Sequence, residues 1–410
     1  MNVLMFGWEF PPYKAGGLAT ATLGLVKGLL RRNEVTLVVP FPVEQNDLAG
    51  LDLRSTSGVF QQLTTRRVAS PLTPYMSASA YELERPQALT GTRMATLYGE
   101  NLASEVERFA QVASAFAAEF AHDVIDVHDW MTYKAGLLAQ KISGRPLVVH
   151  VHATEFDRSG DNPNPEICRR EWEGLNGATL IIANSNQLKR QVVRRYHISA
   201  EKIDVVHWGI EADRTEYHLD SPSPLPGPVV LFLGRVTRQK GPDYFVEMAR
   251  RVADYVPRAQ FIVAGSGDML PQLIERAVAL GLAERVHFAG PLQGEEVYRA
   301  LRAADVCVMP SVSEPFGLVA LESIKSGTPC LVPRESGVAE VLQNALKVDF
   351  WDVEEMANKI VSLLEHAELH DELSERGLAE LSSPRFGLDE PAQHTMDVYE
   401  RAVALGGTTA

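Results

Sequence analysis

The sequence predicts an α/β protein of two domains, each a parallel sheet covered by helices. Three observations predict it. The chain has 410 residues, and a single hydrophobic core stops growing near ~250–300 residues. Short apolar runs alternate with longer segments of helical spacing through both halves, the pattern of βαβ units. The proline-rich stretch Ser221-Pro222-Ser223-Pro224-Leu225-Pro226-Gly227-Pro228 interrupts that pattern, which resumes directly after it. Its prolines exclude helix and central strand.

The strands are expected, in order, at Val3–Phe6, Val35–Val39, Val124–Val127, Leu147–Val151 and Leu180–Ala183 in the first half. In the second half they are expected at Val229–Leu233, Phe261–Ala264, Val286–Phe288, Val306–Met309 and Cys330–Val332. Continuous runs of Val, Ile and Leu suit parallel strands buried on both faces. Between them, Leu18, Ala21, Leu25 and Leu29 form a helical stripe. Asp352 with Glu355 forms a capping pair ahead of Met356, Ile360 and Leu363. Pro242 sits just inside a helix start after Lys240-Gly241. Pro384-Arg385-Phe386-Gly387 is a second break, followed by a helix with Met396, Tyr399 and Val403 on one face. The domains are therefore drawn as 1–215 and 216–385, with 386–410 as a C-terminal helix.

Composition narrows the function. Hydrophobic residues make up 45% and charged residues 22%, as in an ordinary soluble protein. The net charge of −14 has the wrong sign for a general nucleic-acid or anionic-membrane surface. An anionic ligand must be held by a few local cations and backbone amides. The three cysteines, Cys168, Cys307 and Cys330, have neither metal-ligand nor redox spacing. Met1 leads straight into a strand, and no apolar run reaches the ~18–20 residues that span a bilayer. A cytoplasmic location is expected.

Four groups of residues carry candidate chemistry, all at the carboxyl ends of strands, where open α/β sheets bind ligands. After the first strand comes Lys14-Ala15-Gly16-Gly17-Leu18, a glycine pair before a helix that lets amides approach an anion, or else a tight connection with an exposed lysine. It lacks the G-x-G-x-x-G pattern, which disfavours a dinucleotide site. Gly234-Arg235 with Gln239-Lys240-Gly241 closes the first strand of the second half. Two cations there form a plausible diphosphate clamp in an acidic protein, or are surface charges. Pro310 to Glu322 follows the strand at Val306–Met309 and opens a helix. Glu314 and Glu322 are suited to accept from sugar and ribose hydroxyls, and the amides of Phe316, Gly317, Leu318 and Val319 to meet phosphate. The bland alternative makes Glu314 a cap and Glu322 a solvated helix residue. Finally, His128-Asp129-Trp130 and His150-Val151-His152-Ala153-Thr154-Glu155 end two strands of the first half. His150 and His152 are two apart, but no His, Cys, Asp or Glu group has convincing ligand spacing, so no metal is expected.

Read together, these motifs resemble the glycogen and starch synthases and related retaining glycosyltransferases of the GT-B superfamily. The resemblance runs from Lys14-Ala15-Gly16-Gly17-Leu18 through His128-Asp129-Trp130, His152-Ala153-Thr154-Glu155, Gly234-Arg235 and Lys240-Gly241 to Glu314–Glu322, which is similar to that superfamily's E-x7-E motif. Gly7-Trp8-Glu9-Phe10-Pro11-Pro12 and His152 to Gly160 look closer to glycogen-synthase-like enzymes. Val319, where those enzymes usually have threonine, and His207-Trp208-Gly209, where many relatives have Asn-Gly, depart from the pattern.

The resemblance implies two Rossmann-like domains facing a cleft, with the last helix crossing back to the first. It implies a nucleotide-sugar donor as substrate, no cofactor, and a metal-independent reaction. Arg235 and Lys240 would grip the diphosphate and Glu322 the ribose. Glu314 and the amides of Phe316 to Leu318 would hold the transferred sugar, with Val319 beside the donor phosphate. Lys14, Gly16 and Gly17 would close over the phosphates, and Asp129 and His152 would contact the sugar at the reacting face. The expected reaction moves glucose from ADP- or UDP-glucose to an α-1,4-glucan. The alternative is another nucleotide sugar and a small-molecule or lipid acceptor. Trp8, Tyr13 and Trp130 either stack on sugar rings or belong to the core. A phosphorylase or epimerase of similar architecture and a non-catalytic sugar-nucleotide binder are the competing classes.

Overall fold

The computed structural model describes residues 1–13, 17–43, 48–57, 102–211 and 225–406. Lys14, Ala15, Gly16 and the linker residues Ser221 to Pro224 lie outside the described residues. The chain divides into two compact units, Met1–Gly209 with Leu388–Ala410, and Ile210–Gly387.

In the first unit the described strands are β1 (Asn2–Phe6), β2 (Glu34–Val39), β3 (Leu51–Ser55), β4 (Val124–His128), β5 (Leu147–Val151), β6 (Leu180–Ala183) and β7 (Ile203–Val205). They form one parallel sheet in the order β3-β2-β1-β4-β5-β6-β7. Alternate residues feed two cores, as the two-residue strand period requires. Leu4, Phe6, Ile125, Val127, Leu147 and Val149 pack one face with the helix Leu102–Glu119 and the helix Trp130–Ser143. Val3, Met5, Val124, Val148, Leu180 and Ile182 pack the other face with Tyr399 of the C-terminal helix Asp389–Gly406.

That last helix returns to the first unit, as expected, and lies against the helix Gly17–Leu29. Glycine makes the approach close. A Cβ at Gly28 would meet Ala392 Cβ and Leu388 O, both at 2.6 Å. Arg401 holds Asp204 through two bonds of 2.9 and 2.8 Å, tying the same helix to β7. The stripe Leu18, Ala21, Leu25, Leu29 differs from the buried set, which is Leu18, Ala19, Thr22, Val26, Gly28 and Leu29. This helix is sandwiched between the sheet and the C-terminal helix, so one stripe does not describe it.

The second unit holds β8 (Val229–Leu233), β9 (Gln260–Ala264), β10 (Val286–Gly290), β11 (Val306–Val308), β12 (Cys330–Pro333) and β13 (Leu346–Val348). Its parallel sheet has the order β10-β9-β8-β11-β12-β13. Numbered from its own start this is 3-2-1-4-5-6, the order of the dinucleotide-binding α/β fold, and the first unit repeats it with one strand added. Pro242 opens the helix Pro242–Tyr255, and Asp352 accepts from Glu355 N at 2.9 Å to start the helix Val353–Glu365. Both starts fall where the sequence put them.

Candidate active site

In each unit the strand order reverses beside the first strand, between β1 and β4 and between β8 and β11. Loops there diverge and leave room for a ligand at the carboxyl ends of the strands. The sequence-predicted residues that are described fall at or beside these two places.

In the second unit, β8 ends at Leu233, and after Gly234 the chain turns through Arg238–Lys240. Gly241 has φ of +62°, and a Cβ there would meet Pro310 O at 2.1 Å, so only glycine lets this turn press against the end of β11. Gln239, nearly buried, holds the two loops in register. Its backbone oxygen accepts from Val312 N at 2.9 Å, and its side chain accepts from Arg235 Nη2 at 2.8 Å. Lys240 Nζ reaches Glu314 Oε2 at 2.6 Å, and Ser311 Oγ donates to the same oxygen at 2.9 Å. Arg235, Lys240 and Glu314 thus belong to one connected polar group. Gln239 and Ser311, which join it, were not singled out from sequence; Gln239 carried no signal beyond lying between Arg235 and Lys240.

Gly317 has φ of +113° and is walled by Met309, Val338 and Glu314, so the chain turns sharply into the helix Leu318–Lys325. The loop after β12 braces this turn: Gly337 N donates to Glu314 O at 3.0 Å and Val338 N to Phe316 O at 2.7 Å. Phe316 and Leu318 are buried, Val319 is half-buried, and Glu322 is half-buried one turn further along the helix. Two cations, a carboxylate and a helix start therefore sit together at a switch point. Such a place is suited to a ligand carrying both phosphate and hydroxyl groups.

In the first unit, Asp126 and His128 share a face of β4, and His128 pairs in register with His150 on β5. The rings of His128 and His150 stack at 4.5 Å, within 14° of parallel. His128 Nδ1 lies 2.9 Å from His152 Nε2, and His128 Nε2 lies 3.1 Å from Asp126 Oδ2. Burial alone would raise the Asp126 carboxyl. The facing His150 and His128, with hydrogen bonds from His128 and Tyr399, outweigh it and hold the group below its ordinary value. Burial pushes His150 down to about 4, against the pull of Asp126, and holds His152 well below the ordinary histidine value. Both rings are neutral near pH 7.

Asp126, His128 and His150 each offer a ligand atom, all within 4.8 Å of one another, the one such group among the described residues. The donor set does not fit a resident metal well. Stacked rings run their in-plane lone pairs side by side, and one Asp126 oxygen already serves two partners.

Asp129 begins the helix Trp130–Ser143 with φ of +64°, an uncommon backbone for a residue with a side chain. It is fully buried, and its carboxylate lies 3.6 Å from Arg158. Arg158 also meets Glu155 at 3.2 Å and bonds Glu171, so one buried cation faces three buried carboxylates. The imbalance has a consequence: burial raises Asp129 to about 6 and Glu171 to about 8, with Arg158 only partly opposing. Asp129 thus faces Arg158, and His152 faces His128. Of the glycine loop, Lys14 and Gly16 lie outside the described residues. Gly17 opens its helix, and a Cβ there would meet no other atom within 4 Å.

For the aromatic residues the structure favours the core, one of the two alternatives the sequence left open. Trp8 and Trp130 are core residues: Trp8 is buried against Phe109 at 5.4 Å and Trp130 is 3% exposed. Tyr13 packs on Phe41 at 4.5 Å. The stretches that suggested a glycogen-synthase-like enzyme are structural too. Trp8, Glu9 and Phe10 are buried, and Thr154 with Asp157 forms a capping box for the helix Glu155–Ser159. These residues hold the first unit together.

Comparison with known proteins agrees with this geometry. Residues 213–379 match the family model for glycosyl transferases group 1, and residues 15–214 match that for glycosyltransferase family 4. The chain is similar to an uncharacterized glycosyltransferase of Methanocaldococcus jannaschii, 26% identical over 428 residues, with 99% of this chain and 100% of that one covered. It is 32% identical over 315 residues to a D-inositol 3-phosphate glycosyltransferase of Acidothermus cellulolyticus, with 70% of this chain and 69% of the relative covered. Among solved structures, the sucrose-phosphate synthase of Thermosynechococcus elongatus matches with a TM-score of 0.74 at 21% identity, over 98% of this chain and 99% of that one. The fold is GT-B, as the sequence predicts. No described helix is long and apolar enough to cross a membrane.

Proposed function

The chain belongs to the family 4 (group 1) glycosyltransferases, and from that premise we propose that it transfers a sugar, with retention, from a nucleoside diphosphate sugar to a hydroxyl of a small-molecule acceptor. The observation that carries this reading is the group formed by Arg235, Gln239, Lys240, Ser311 and Glu314 at the switch point of the second unit. Lys240 and Glu314 hold each other at 2.6 Å. A donor that offers phosphate to Lys240 and a sugar hydroxyl to Glu314 replaces one ion pair by two contacts of matched sign. Arg235 supplies a second cation beside it.

The chemical demand is to stabilise negative charge on the leaving diphosphate as positive charge grows on the sugar carbon. Fixed cations and helix-start amides answer it without reorganisation. Glu322, on the helix that Gly317 opens, is assigned the ribose hydroxyls, and Gly17 the approach of the phosphates from the first unit. His152 is assigned a sugar hydroxyl. Asp129 is assigned to holding Arg158 and the start of its helix rather than to contact with substrate.

A small acceptor stands ahead of an α-glucan. Most of the described residues that suggested a glucan are buried fold residues, whereas a curated relative at 32% identity is named for a small phosphorylated polyol. The test is a screen of nucleoside diphosphate release, with UDP-, ADP- and GDP-sugars as donors against inositol phosphates, sugar phosphates and maltooligosaccharides. Release that requires a small acceptor is expected. Release only with maltooligosaccharide, with chain extension, would return the acceptor to a glucan.

A further inference from the structure

Four buried side chains of the first unit form one hydrogen-bonded chain that ends on His152. Tyr399 Oη donates to Asp126 Oδ2 at 2.6 Å, from the C-terminal helix to the middle of the sheet. The same carboxylate oxygen lies 3.1 Å from His128 Nε2. On the far side of that ring, His128 Nδ1 lies 2.9 Å from His152 Nε2. His152 Nδ1 is buried and has no hydrogen-bond partner. His152 also borders a small cavity that its ring shares with His128, His150, Trp208 and Thr395 and that is otherwise walled by apolar residues such as Leu25, Ile182 and Leu388.

The order of donors and acceptors follows from the chemistry of the groups. An ionised carboxylate only accepts, so His128 must carry a proton on Nε2. With His128 neutral, its Nδ1 is then an acceptor. His152 must donate from Nε2, which leaves its Nδ1 as a bare lone pair. While His128 carries a single proton, reversing any one link puts two donors or two acceptors face to face inside the protein, a costly arrangement at this depth.

We propose that Tyr399, Asp126 and His128 are positioning residues that lock His152 in its Nε2–H tautomer and so present Nδ1 as a hydrogen-bond acceptor for a substrate hydroxyl. The inference rests on the assignment of His152 to the sugar. The C-terminal helix thereby acts beyond packing, because Tyr399 donates to the carboxylate that sets the tautomer. His150 completes the arrangement by stacking on His128 and keeping the ring from rotating.

The experiment is a long-range proton–nitrogen correlation spectrum of the full chain labelled with 15N-histidine, at pH 7.5 and without substrate. His152 should show a protonated Nε2 and an unprotonated Nδ1. His128→Phe removes the acceptor and should give a mixture of His152 tautomers. The same variant should lower kcat on the order of tenfold, as for one lost oriented hydrogen bond, with the donor KM little changed. His128→Gln, whose amide oxygen can accept from His152 Nε2, should restore the wild-type tautomer and most of kcat. Asp126→Leu removes the carboxylate that orders the chain, serves if His128→Phe does not fold, and should mix the His152 tautomers as well. A proton on His152 Nδ1 in the wild type, or a His128 ring protonated on both nitrogens, would overturn the proposal. So would His128 and His150 signals that shift with stoichiometric Zn2+, which would make the cluster a metal site. The spectrum needs no turnover, so a failed transfer assay alongside the expected spectrum would count against the proposed reaction and not against this chain of bonds.

Discussion

Glu314 shares one carboxylate oxygen between Lys240, at 2.6 Å, and Ser311, at 2.9 Å. The contact joins two loops 74 residues apart in sequence and fixes the ammonium at the carboxyl end of the sheet. Lys240→Ala should therefore lower kcat by on the order of 10²–10³, the cost of losing one transition-state electrostatic donor. Circular dichroism should show an unchanged fold, since the lysine is partly solvent-exposed. Turnover within threefold of wild type would remove Lys240 from the phosphate site.

Asp129→Asn should change stability in a pH-dependent way. Burial raises the Asp129 carboxyl to about 6, above the ~3.9 of an unfolded chain. The folded state thus binds this proton more tightly. Its contribution to stability is complete below the unfolded value and is lost as pH rises through about 6. At pH 7.5 the wild type buries a poorly matched charge that the amide lacks, so the variant should be more stable there, by on the order of 1–3 kcal/mol. At pH 4 the two should melt together. Asparagine also tolerates the positive φ. Thermal melts of both proteins at the two pH values decide it, and a variant less stable at pH 7.5 would contradict the reading.

Gly28 and Gly24 make a matched pair of tests for the C-terminal helix. Alanine at Gly28 would collide with Ala392 Cβ and Leu388 O at 2.6 Å, whereas at Gly24 it would meet only the end of Leu388 at 3.2 Å. Gly28→Ala should destabilise by about 1–3 kcal/mol and expose the last helix to proteolysis. Gly24→Ala should be near neutral, because a small shift of Leu388 is offset by better helix propensity. Equal effects in melting experiments would show that close packing at Gly28 does not hold the helix.

Much of this arrangement was legible in the sequence, for physical reasons. Central strands are buried on both faces, so β6 and β8 read as unbroken apolar runs, and β4 and β5 as apolar runs interrupted only by Asp126, His128 and His150. The three missed strands, β3, β7 and β13, are sheet edges. Leu51–Ser55, Ile203–Val205 and Leu346–Val348 carry Asp, Arg or Lys and are partly exposed, so no apolar run marks them. The candidate site was legible where it sits on strand ends, because that is where this fold leaves space. Its supports were not. Tyr399 is 273 residues from Asp126, and Gln239 is 74 residues from the Ser313 carbonyl it also contacts. Such pairings depend on the tertiary fold and leave no local spacing to read. The alternation of Asp126 and His128 in β4 was the one available hint of the buried chain, since residues two apart share a face.

Arg235 and Lys240 supply positive charge where the leaving diphosphate is proposed to sit, so turnover should persist in excess EDTA. The measurement is the initial rate of nucleoside diphosphate release before and after chelation. A loss of activity that Mg²⁺ or Mn²⁺ restores would show that these two side chains do not suffice.

The central claim is sugar transfer from a nucleoside diphosphate donor with retention of configuration. Following the reaction by proton NMR, with an α-linked donor sugar and the small acceptor that supports nucleotide release, tests it most directly. The account predicts loss of the donor anomeric signal, stoichiometric nucleoside diphosphate, and a first product whose anomeric coupling is that of an α-linkage. A β-linked first product, or no transfer to any acceptor from any nucleoside diphosphate sugar, would contradict it.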